Sequence, residues 1–338
     1  MNGDSTRRKL IALCLSLLLL LSTAGCGTPK EQQTVQKTTL LMDTVVTITL
    51  YDWTDETTID TAFEEISRLE DLLNVDHEGS DLDKLAKAAG KEWVAIAPET
   101  EEVLRLAKEY YTLSKGHFDV TAGPLIDLWD IHDGQGHYPT QEELEEVLPL
   151  ISSDDLLIEE GKAYLSREGM IANLGAIAKG YIADQIKALL EGQGVEHAIL
   201  DLGRNILLIG GKTEDTSFTV GIQDPNQAEG TLAGLIQATG KSIVTSGIDE
   251  RYFIYEGKRY HHVLDPFTGF PADTGLASAT ILSDSSAQGD ALSTTCLLLG
   301  PEDGMSLVES LDGVEALFIT TDGQQIASSG FDAYRAEQ

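Results

Sequence analysis

The part of the chain that decides the fold is RYHHVLDPFTGFPAD at residues 259–273, followed closely by SSAQGDALSTTCLLLG at residues 285–300. The first segment is rich in turn-forming Asp-Pro and Thr-Gly pairs. It begins with His261 and His262, where an alternating run predicts the end of a strand. The second segment predicts a helix that an N-terminal serine caps and a Gly-Pro pair ends. The two segments therefore indicate a strand, a tight loop and a helix in close succession.

On that helix, Asp290 and Thr294 are four residues apart, so their side chains project from one face. A carboxylate and a hydroxyl are hard oxygen ligands of the type that Mg²⁺ accepts. The same spacing also fits a solvated helix face, so the pattern alone leaves a purely structural role open.

The composition is that of a globular protein of one large domain or two, with 338 residues, 42% of them hydrophobic and 23% charged. The formal net charge of −33 excludes nucleic acid as a partner, because phosphate binding needs a basic surface. An anionic small ligand would have to be bound against this charge. It would need a metal ion, a helix N-terminus or a local cation.

The N-terminus predicts an export signal. A basic start is followed by an apolar segment from Leu10 to Leu21 and by Ala24-Gly25-Cys26, which resembles a bacterial lipobox. We expect residues 1–25 to be a lipoprotein signal peptide, Cys26 to carry the lipid and residues 26–39 to form a polar tether. The expected location is the extracytoplasmic face of the cell membrane, held by acyl chains such as palmitate. The alternative is an uncleaved anchor helix.

The remaining chain alternates between helical and strand-like segments, which favours an α+β fold. A strand is predicted at residues 44–51, and helices at 59–73 and 98–114. Residues 162–166 and 170–172 are expected to pair as a hairpin. In NLGAIAKGY (residues 173–181) a glycine-containing turn leads into a helix with a lysine in its first turn, a plausible anion site.

Five motifs, taken together, resemble the ApbE family of FAD:protein FMN transferases. In chain order they are FDVTAGPLIDLW (118–129), NLGAIAKGY (173–181), LDLGRNI (200–206), SG with RYHHVLDPFTG (246–269) and GDALSTTCLLLG (289–300). The resemblance implies an ApbE-like domain over residues 40–335. It implies an α+β fold in which mixed or antiparallel sheets are flanked by helices, with the flavin site in a cleft between two lobes.

The family's activity, as the resemblance implies it, is a Mg²⁺-dependent transfer. The FMN moiety of FAD is joined to a Thr or Ser hydroxyl of an acceptor protein, and AMP leaves. The expected partners are FAD as substrate and a secreted or membrane acceptor protein with a Thr flavinylation motif.

The motifs also carry over the family's functional residues. The resemblance implies His262 as the catalytic residue, and it implies that the metal is bound by the backbone carbonyl of Ala176, the carboxylate of Asp290 and the hydroxyl of Thr294. The flavin-contacting positions would be Met42, His117, Phe118, Asp119, Asn173, Lys179 and Leu264.

Four positions depart from the family pattern. Asn173 stands where Asp is common, and Arg204 replaces the second glycine of a Gly-Gly-Asn sequence. Phe267 stands where Arg is frequent, and Ser293 where some members have an acidic residue.

Two other functions fit the same residues. One is an FAD pyrophosphatase, which releases FMN and AMP to water. The other is a flavin-binding lipoprotein without chemistry, which the presence of both Asp290 and His262 argues against, since a pure binder would need neither.

Overall fold

The computed structural model describes residues 33–132 and 134–336. The predicted signal peptide, Cys26 and the first part of the predicted tether lie outside the described residues. The predicted end of that tether at residue 39 was wrong, because Thr34–Leu41 is a strand that pairs over its whole length with Thr44–Tyr51. Its alternating exposed and half-buried residues give it the period-two pattern of an edge strand.

The fold is α+β, as predicted, and all strand pairs within its sheets are antiparallel in the described part of the chain. The largest sheet has eight strands in the order β1-β2-β6-β7-β10-β13-β14-β15. In chain order the strands are β1 (Thr34–Leu41), β2 (Thr44–Tyr51), β3 (Val94–Ala95), β4 (Leu156–Glu159), β5 (Lys162–Leu165), β6 (Ala198–Asp201), β7 (Asn205–Ile209), β8 (Phe218–Gln223), β9 (Leu232–Ala238), β10 (Ser242–Gly247), β11 (Tyr252–Tyr255), β12 (Lys258–His261), β13 (Leu276–Ser283), β14 (Glu315–Thr320) and β15 (Gln325–Ala327).

Seven α-helices occur within the described residues, and the longest of them, Ser286–Glu309, packs along the central strands of the large sheet. They are α1 (Thr57–Leu73), α2 (Asp81–Lys87), α3 (Pro98–Leu113), α4 (Gly123–Trp129), α5 (Gln141–Val147), α6 (Ala178–Gly192) and α7 (Ser286–Glu309). None of the helices that the structure describes is long and apolar enough to cross a membrane.

The sheet is covered on both faces, and strand β13 shows this most clearly. All eight of its residues are buried. Ile281 packs into the main core with the helices, whereas the next residue, Leu282, packs into a second cluster with the hairpin of β8 and β9. Because both faces are buried, the sequence of β13 lacks the polar and apolar alternation of an exposed strand.

One local prediction was wrong. Strand β5 pairs with β4 and not with residues 170–172, because the Glu160-Gly161 pair forms a two-residue turn with a positive φ of 71° at Gly161. The Gly300-Pro301 pair interrupts the last helix, as predicted. Gly300 adopts the non-helical angles φ 82° and ψ 179°, and a second helical segment follows it within α7.

Helices α6 and α7 pack against each other so closely that a glycine is needed at the crossing. A Cβ atom added to Gly180 would lie 2.2 Å from the backbone oxygen of Ser286. Asp184 of α6 caps the start of α7, since its Oδ1 accepts a hydrogen bond from the N–H of Ser286 at 2.8 Å. In return, Asp290 Oδ2 of α7 accepts a hydrogen bond from the N–H of Gly180 at 2.8 Å. Each helix thus satisfies a free N–H group of the other.

We expect Gly180→Ala to lower the free energy of unfolding by about 1–3 kcal/mol, because the added methyl group forces the two helix backbones apart. The matched control is Gly192→Ala at the other end of α6, where an added Cβ meets no atom within 4 Å. Chemical denaturation of the two variants and the wild type measures the difference. Equal stability of both variants would show that the crossing tolerates a side chain.

Candidate functional site

A cavity of about 390 Å³ opens between the main core and a smaller aromatic cluster. Phe118 and Val120 reach its wall from the main core, whereas Trp129 and Ile131 reach it from the smaller cluster. Trp129 anchors that cluster through a 2.7 Å hydrogen bond from its indole N–H to the carbonyl of Gly269. The predicted cleft between two lobes corresponds to this cavity.

All of the predicted site residues except Met42 line the cavity. They are His117, Phe118, Asp119, Asn173, Ala176, Lys179, His262, Leu264, Asp290 and Thr294. Met42 lies in the two-residue turn between β1 and β2, with a φ of 53°, and its side chain packs against the main core. The structure therefore brings together four segments that are far apart in the sequence, and it leaves Met42 outside the cavity wall.

The crossing of α6 and α7 leaves oxygen atoms free at the cavity. Gly180 donates its N–H to Asp290 Oδ2 at 2.8 Å, and the described residues provide no hydrogen-bond donor for the Ala176 carbonyl four residues earlier. The other Asp290 oxygen, Oδ1, also accepts no hydrogen bond from the described residues. Both residues line the cavity, and a carbonyl and a carboxylate oxygen without protein donors fit a cation that would bind there.

Thr294 lies one helical turn after Asp290 and faces the same cavity. Its Oγ1 is 3.4 Å from Ser246 Oγ, which in turn is 2.7 Å from Ser293 Oγ. Ser293 is fully buried and donates a hydrogen bond to the Asp290 carbonyl at 2.9 Å. The serine at this departure from the family pattern thus supports the backbone of the Asp290 turn.

The described residues contain no group of three or more His, Cys, Asp or Glu side chains that could hold a metal ion. At the crossing of α6 and α7, the oxygen donors that line the cavity are the Ala176 carbonyl, the Asp290 carboxylate and the Thr294 hydroxyl. Such a set suits Mg²⁺, which keeps several waters and shares its coordination with substrate phosphates.

Burial raises the pKa of the Asp290 carboxyl above its usual range, whereas Lys179 and the N–H of Gly180 oppose that rise. Glu250 is in a similar position, since burial raises its pKa while Lys179 and Arg204 lower it. Lys179 thus acts on both carboxyl groups from the first turn of α6. A cation beside Asp290 would hold its carboxylate in the ionised form.

His262 directly follows β12, and its ring is held by Arg251, the residue directly before β11. Its Nδ1 is 3.2 Å from the Arg251 carbonyl. Because a carbonyl can only accept, Nδ1 carries the proton, and Nε2 keeps its lone pair. Burial, followed by the nearby charge of Arg251, lowers the pKa of His262 to about 3. The imidazole is therefore neutral and has one free nitrogen acceptor.

Two of the predicted flavin contacts use their side chains in local structure. Asp119 Oδ1 accepts hydrogen bonds from the Thr121 hydroxyl and the Ser153 hydroxyl, each at 2.7 Å. Asn173 Oδ1 accepts one from the N–H of Gly175 at 2.8 Å. An amide oxygen can accept this hydrogen bond as a carboxylate oxygen would. Asn in place of Asp at position 173 therefore preserves the turn that leads to Ala176.

The remaining departures are Phe267 and Arg204, and of these two Arg204 lines the cavity. Phe267 is 59% exposed and packs edge-on against His117 with ring centroids 4.8 Å apart. Arg204 lines the cavity with a φ of 58°, a conformation that a glycine would adopt without strain. Its guanidinium binds both oxygens of Asp249, at 2.7 and 3.1 Å.

Sequence reasoning missed several charged residues of the wall, in particular Glu250 and Arg251. The signal was the run Asp249-Glu250-Arg251 directly before the hairpin of β11 and β12. Lys179, Arg204 and Arg251 are the wall's Lys and Arg side chains within the described part of the chain. Its carboxyl groups are more numerous, namely those of Asp76, Asp119, Asp127, Asp130, Glu250 and Asp290. The cavity therefore offers an anionic ligand a few cations in a predominantly acidic wall.

Comparison with known proteins gives a consistent result. The family model described as the ApbE family matches residues 42–318. The chain is 34% identical to the FAD:protein FMN transferase of Klebsiella pneumoniae, with 86% of this chain and 90% of the relative covered. It is 32% identical to the FAD:protein FMN transferase of Treponema pallidum, with 92% and 91% covered.

Solved structures agree with this assignment. The ApbE protein from Thermotoga maritima superposes with a TM-score of 0.80 at 28% identity, and the match covers 90% of this chain and 100% of that protein. The flavin transferase ApbE from Vibrio cholerae gives a TM-score of 0.79 at 26% identity, covering 90% and 99%. The family match includes the crossing helices and all of the cavity residues, and the chain belongs to the ApbE family.

Proposed function

We propose that this chain is an FAD:protein FMN transferase, which joins the FMN moiety of FAD to a Thr or Ser hydroxyl of an acceptor protein and releases AMP. The observation that carries the proposal is the joint position of His262, Asp290, Thr294 and the Ala176 carbonyl on one cavity wall. The names of the Klebsiella and Treponema relatives support the same activity.

We propose Mg²⁺ as the metal, held by Ala176 O, Asp290 and Thr294. When bound, it would neutralise the charge of the FAD pyrophosphate and stabilise the charge that develops in phosphoryl transfer. The chain's own contribution is electrostatic and positional. Lys179, in the first turn of α6, places a positive charge beside the phosphates, and the N-terminus of this helix favours anions.

His262 is positioned to accept the proton from the acceptor hydroxyl through its free Nε2. The hydroxyl oxygen then forms a bond to the phosphorus of the FMN moiety, and the bond between that phosphorus and the bridging pyrophosphate oxygen breaks. AMP leaves with that oxygen. The hydrogen bond between Nδ1 and the Arg251 carbonyl keeps the imidazole in the required tautomer throughout.

We also propose that the domain is lipid-anchored through Cys26 at the extracytoplasmic face of the cell membrane. The lipobox-like Ala24-Gly25-Cys26 and the apolar segment before it support this location. An acceptor would then be a secreted or membrane protein that reaches the same compartment.

The decisive assay mixes the domain from residue 33 onward with FAD, Mg²⁺ and a recombinant extracytoplasmic domain that carries the Thr flavinylation motif. We expect the acceptor to gain the mass of one FMN residue and to fluoresce in a gel. Asp290→Asn should reduce this transfer roughly 100-fold or more, because the variant lacks the charge that binds the metal. EDTA should abolish transfer by the wild type, because it removes the metal.

The Asn side chain keeps an acceptor for the N–H of Gly180, so the fold should survive. Asp303→Asn, at an exposed position of the same helix, serves as the matched control. Release of FMN and AMP with no labelled acceptor would instead indicate a pyrophosphatase. FAD that stays bound and intact would indicate a binding protein.

His262→Gln should lower the rate of transfer by about 100- to 10,000-fold, which is the usual contribution of a general base. FAD affinity, measured by flavin fluorescence, should stay within a small factor of the wild type. His77→Gln, on the exposed surface, controls for the loss of an imidazole. Full transfer activity in His262→Gln would exclude the histidine as the base.

Protonation of Asp290 should cause the loss of transfer activity at low pH, which forms the acidic limb of the pH profile. Since its pKa is raised in the metal-free protein, protons displace the metal as the pH falls through that raised value. The acidic limb should therefore move to lower pH as Mg²⁺ is increased. His262, with a pKa of about 3, stays unprotonated over this range. A limb near pH 6.5 that Mg²⁺ does not move would contradict both assignments.

A further inference from the structure

A four-residue turn at positions 248–251 connects the two halves of the site. It joins β10 to β11, and we call it the linking turn. Before it, Ser246 Oγ of β10 lies 3.4 Å from Thr294 Oγ1. At its end, the carbonyl of Arg251 accepts a hydrogen bond from the backbone N–H of His262 at 3.1 Å, and it lies 3.2 Å from the ring Nδ1. The position of the imidazole relative to the proposed metal ligands therefore depends on this turn.

Arg204 binds the linking turn at its second residue. Its guanidinium donates two hydrogen bonds to the carboxylate of Asp249, from Nη1 to Oδ1 at 3.1 Å and from Nη2 to Oδ2 at 2.7 Å. Nη1 also lies 3.7 Å from Glu250 Oε1. A bidentate pair of arginine and carboxylate fixes orientation as well as distance. The Arg204 and Asp249 side chains are 31% and 17% exposed, so solvent screens this pair less than an ion pair on the open surface.

Two consecutive carboxyl groups of the turn share the charge of this arginine. Burial raises the pKa of Glu250, and Lys179 and Arg204 lower it, whereas the charge of Asp249 raises it further. Without a cation near both, the carboxylates of Asp249 and Glu250 would repel each other within the turn. Arg204 therefore stabilises the observed turn, in which Glu250 Oε1 accepts a hydrogen bond from the N–H of Gly247 at 3.0 Å.

The backbone at Arg204 is strained, and the contacts of this residue hold it. Its φ is 58°, in the left-handed region that glycine adopts freely and that residues with a side chain disfavour. Such a conformation persists where the surrounding structure holds it. The carbonyl of Arg204 accepts a hydrogen bond from the N–H of Thr245 at 3.0 Å, and its guanidinium binds Asp249. An arginine thus stands where glycine would fit without strain, and its ion pairs are made with the linking turn.

We propose that Arg204 is a positioning residue, which orients His262 through Asp249 and the linking turn. This proposal rests on the proposed function. Arg204 lines the cavity, whereas Asp249 is not part of the cavity wall, so Asp249 affects the reaction through the residues that it holds. A displacement of about 1 Å in a reacting group can lower a rate about 100-fold. The bidentate pair therefore affects the rate of transfer more than the binding of the substrates.

The first test changes Asp249, because it lies outside the cavity wall. Asp249→Ala should lower the single-turnover rate of transfer at saturating FAD and acceptor about tenfold, while the acceptor KM and the affinity for FAD stay within about twofold of the wild type. Asp284→Ala is the matched control. It breaks the 2.6 Å ion pair with Lys241 at the other end of β10, away from the cavity wall, and it should keep the wild-type rate. Equal rates for the two variants would overturn the proposal.

The second test removes the other partner. Glycine adopts a φ of 58° without strain, so Arg204→Gly should fold, and chemical denaturation checks that it does. Its transfer rate should fall as much as that of Asp249→Ala. The double variant should be no slower than either single variant, because both changes remove the same contact. If the two losses multiply in the double variant, the two residues act independently and the proposal is wrong.

Two further outcomes are distinguishable from these. If Arg204→Gly weakens FAD binding while Asp249→Ala leaves both FAD binding and the rate unchanged, Arg204 contacts the substrate directly and the proposal is overturned. Failure of the proposed function itself has a different result. The wild type would then label no acceptor at any concentration, and the proposal would fall with it.

Discussion

The reciprocal capping of α6 and α7 is the interaction on which the site depends. Asp184 of α6 satisfies N–H groups at the start of α7, and Asp290 of α7 satisfies the N–H of Gly180 at the start of α6. The exchange requires a glycine at the crossing, because any side chain at Gly180 would strike the backbone of Ser286. It also frees the Ala176 carbonyl from the helix. A single packing contact thereby holds the helices together and presents oxygen ligands to the cavity.

Charge is the second constraint on this protein. The chain has a net charge of −33, and the wall of its cavity contains more carboxyl groups than Lys and Arg side chains. Lys179 offsets part of this negative charge, since it acts on both Asp290 and Glu250.

Sequence patterns predicted the segments well where one face is exposed. The strand at Thr44–Tyr51 and the helices Thr57–Leu73 and Pro98–Leu113 show clear periodicity, and they lie where that periodicity placed them. Strand β13 was not predicted, because a strand buried on both faces has no alternation. The predicted pairing of β5 was wrong because the actual pairing depends on a turn with a positive φ. The prediction of a tether failed at residues 34–39 because it relied on their polarity and overlooked their alternation.

Motifs and composition were enough to predict the family, the types of chemical group in the site and the need to offset negative charge. Which of those groups are free to act depends on contacts that form only in the folded chain. The tertiary structure showed that Asp119 is used by a turn, that Met42 lies outside the cavity wall and that His262 keeps a lone pair on Nε2. Whether a polar atom can bind a ligand depends on the hydrogen bonds it already makes, and around this cavity the partners lie up to 140 residues apart in the chain, as Trp129 and Gly269 do.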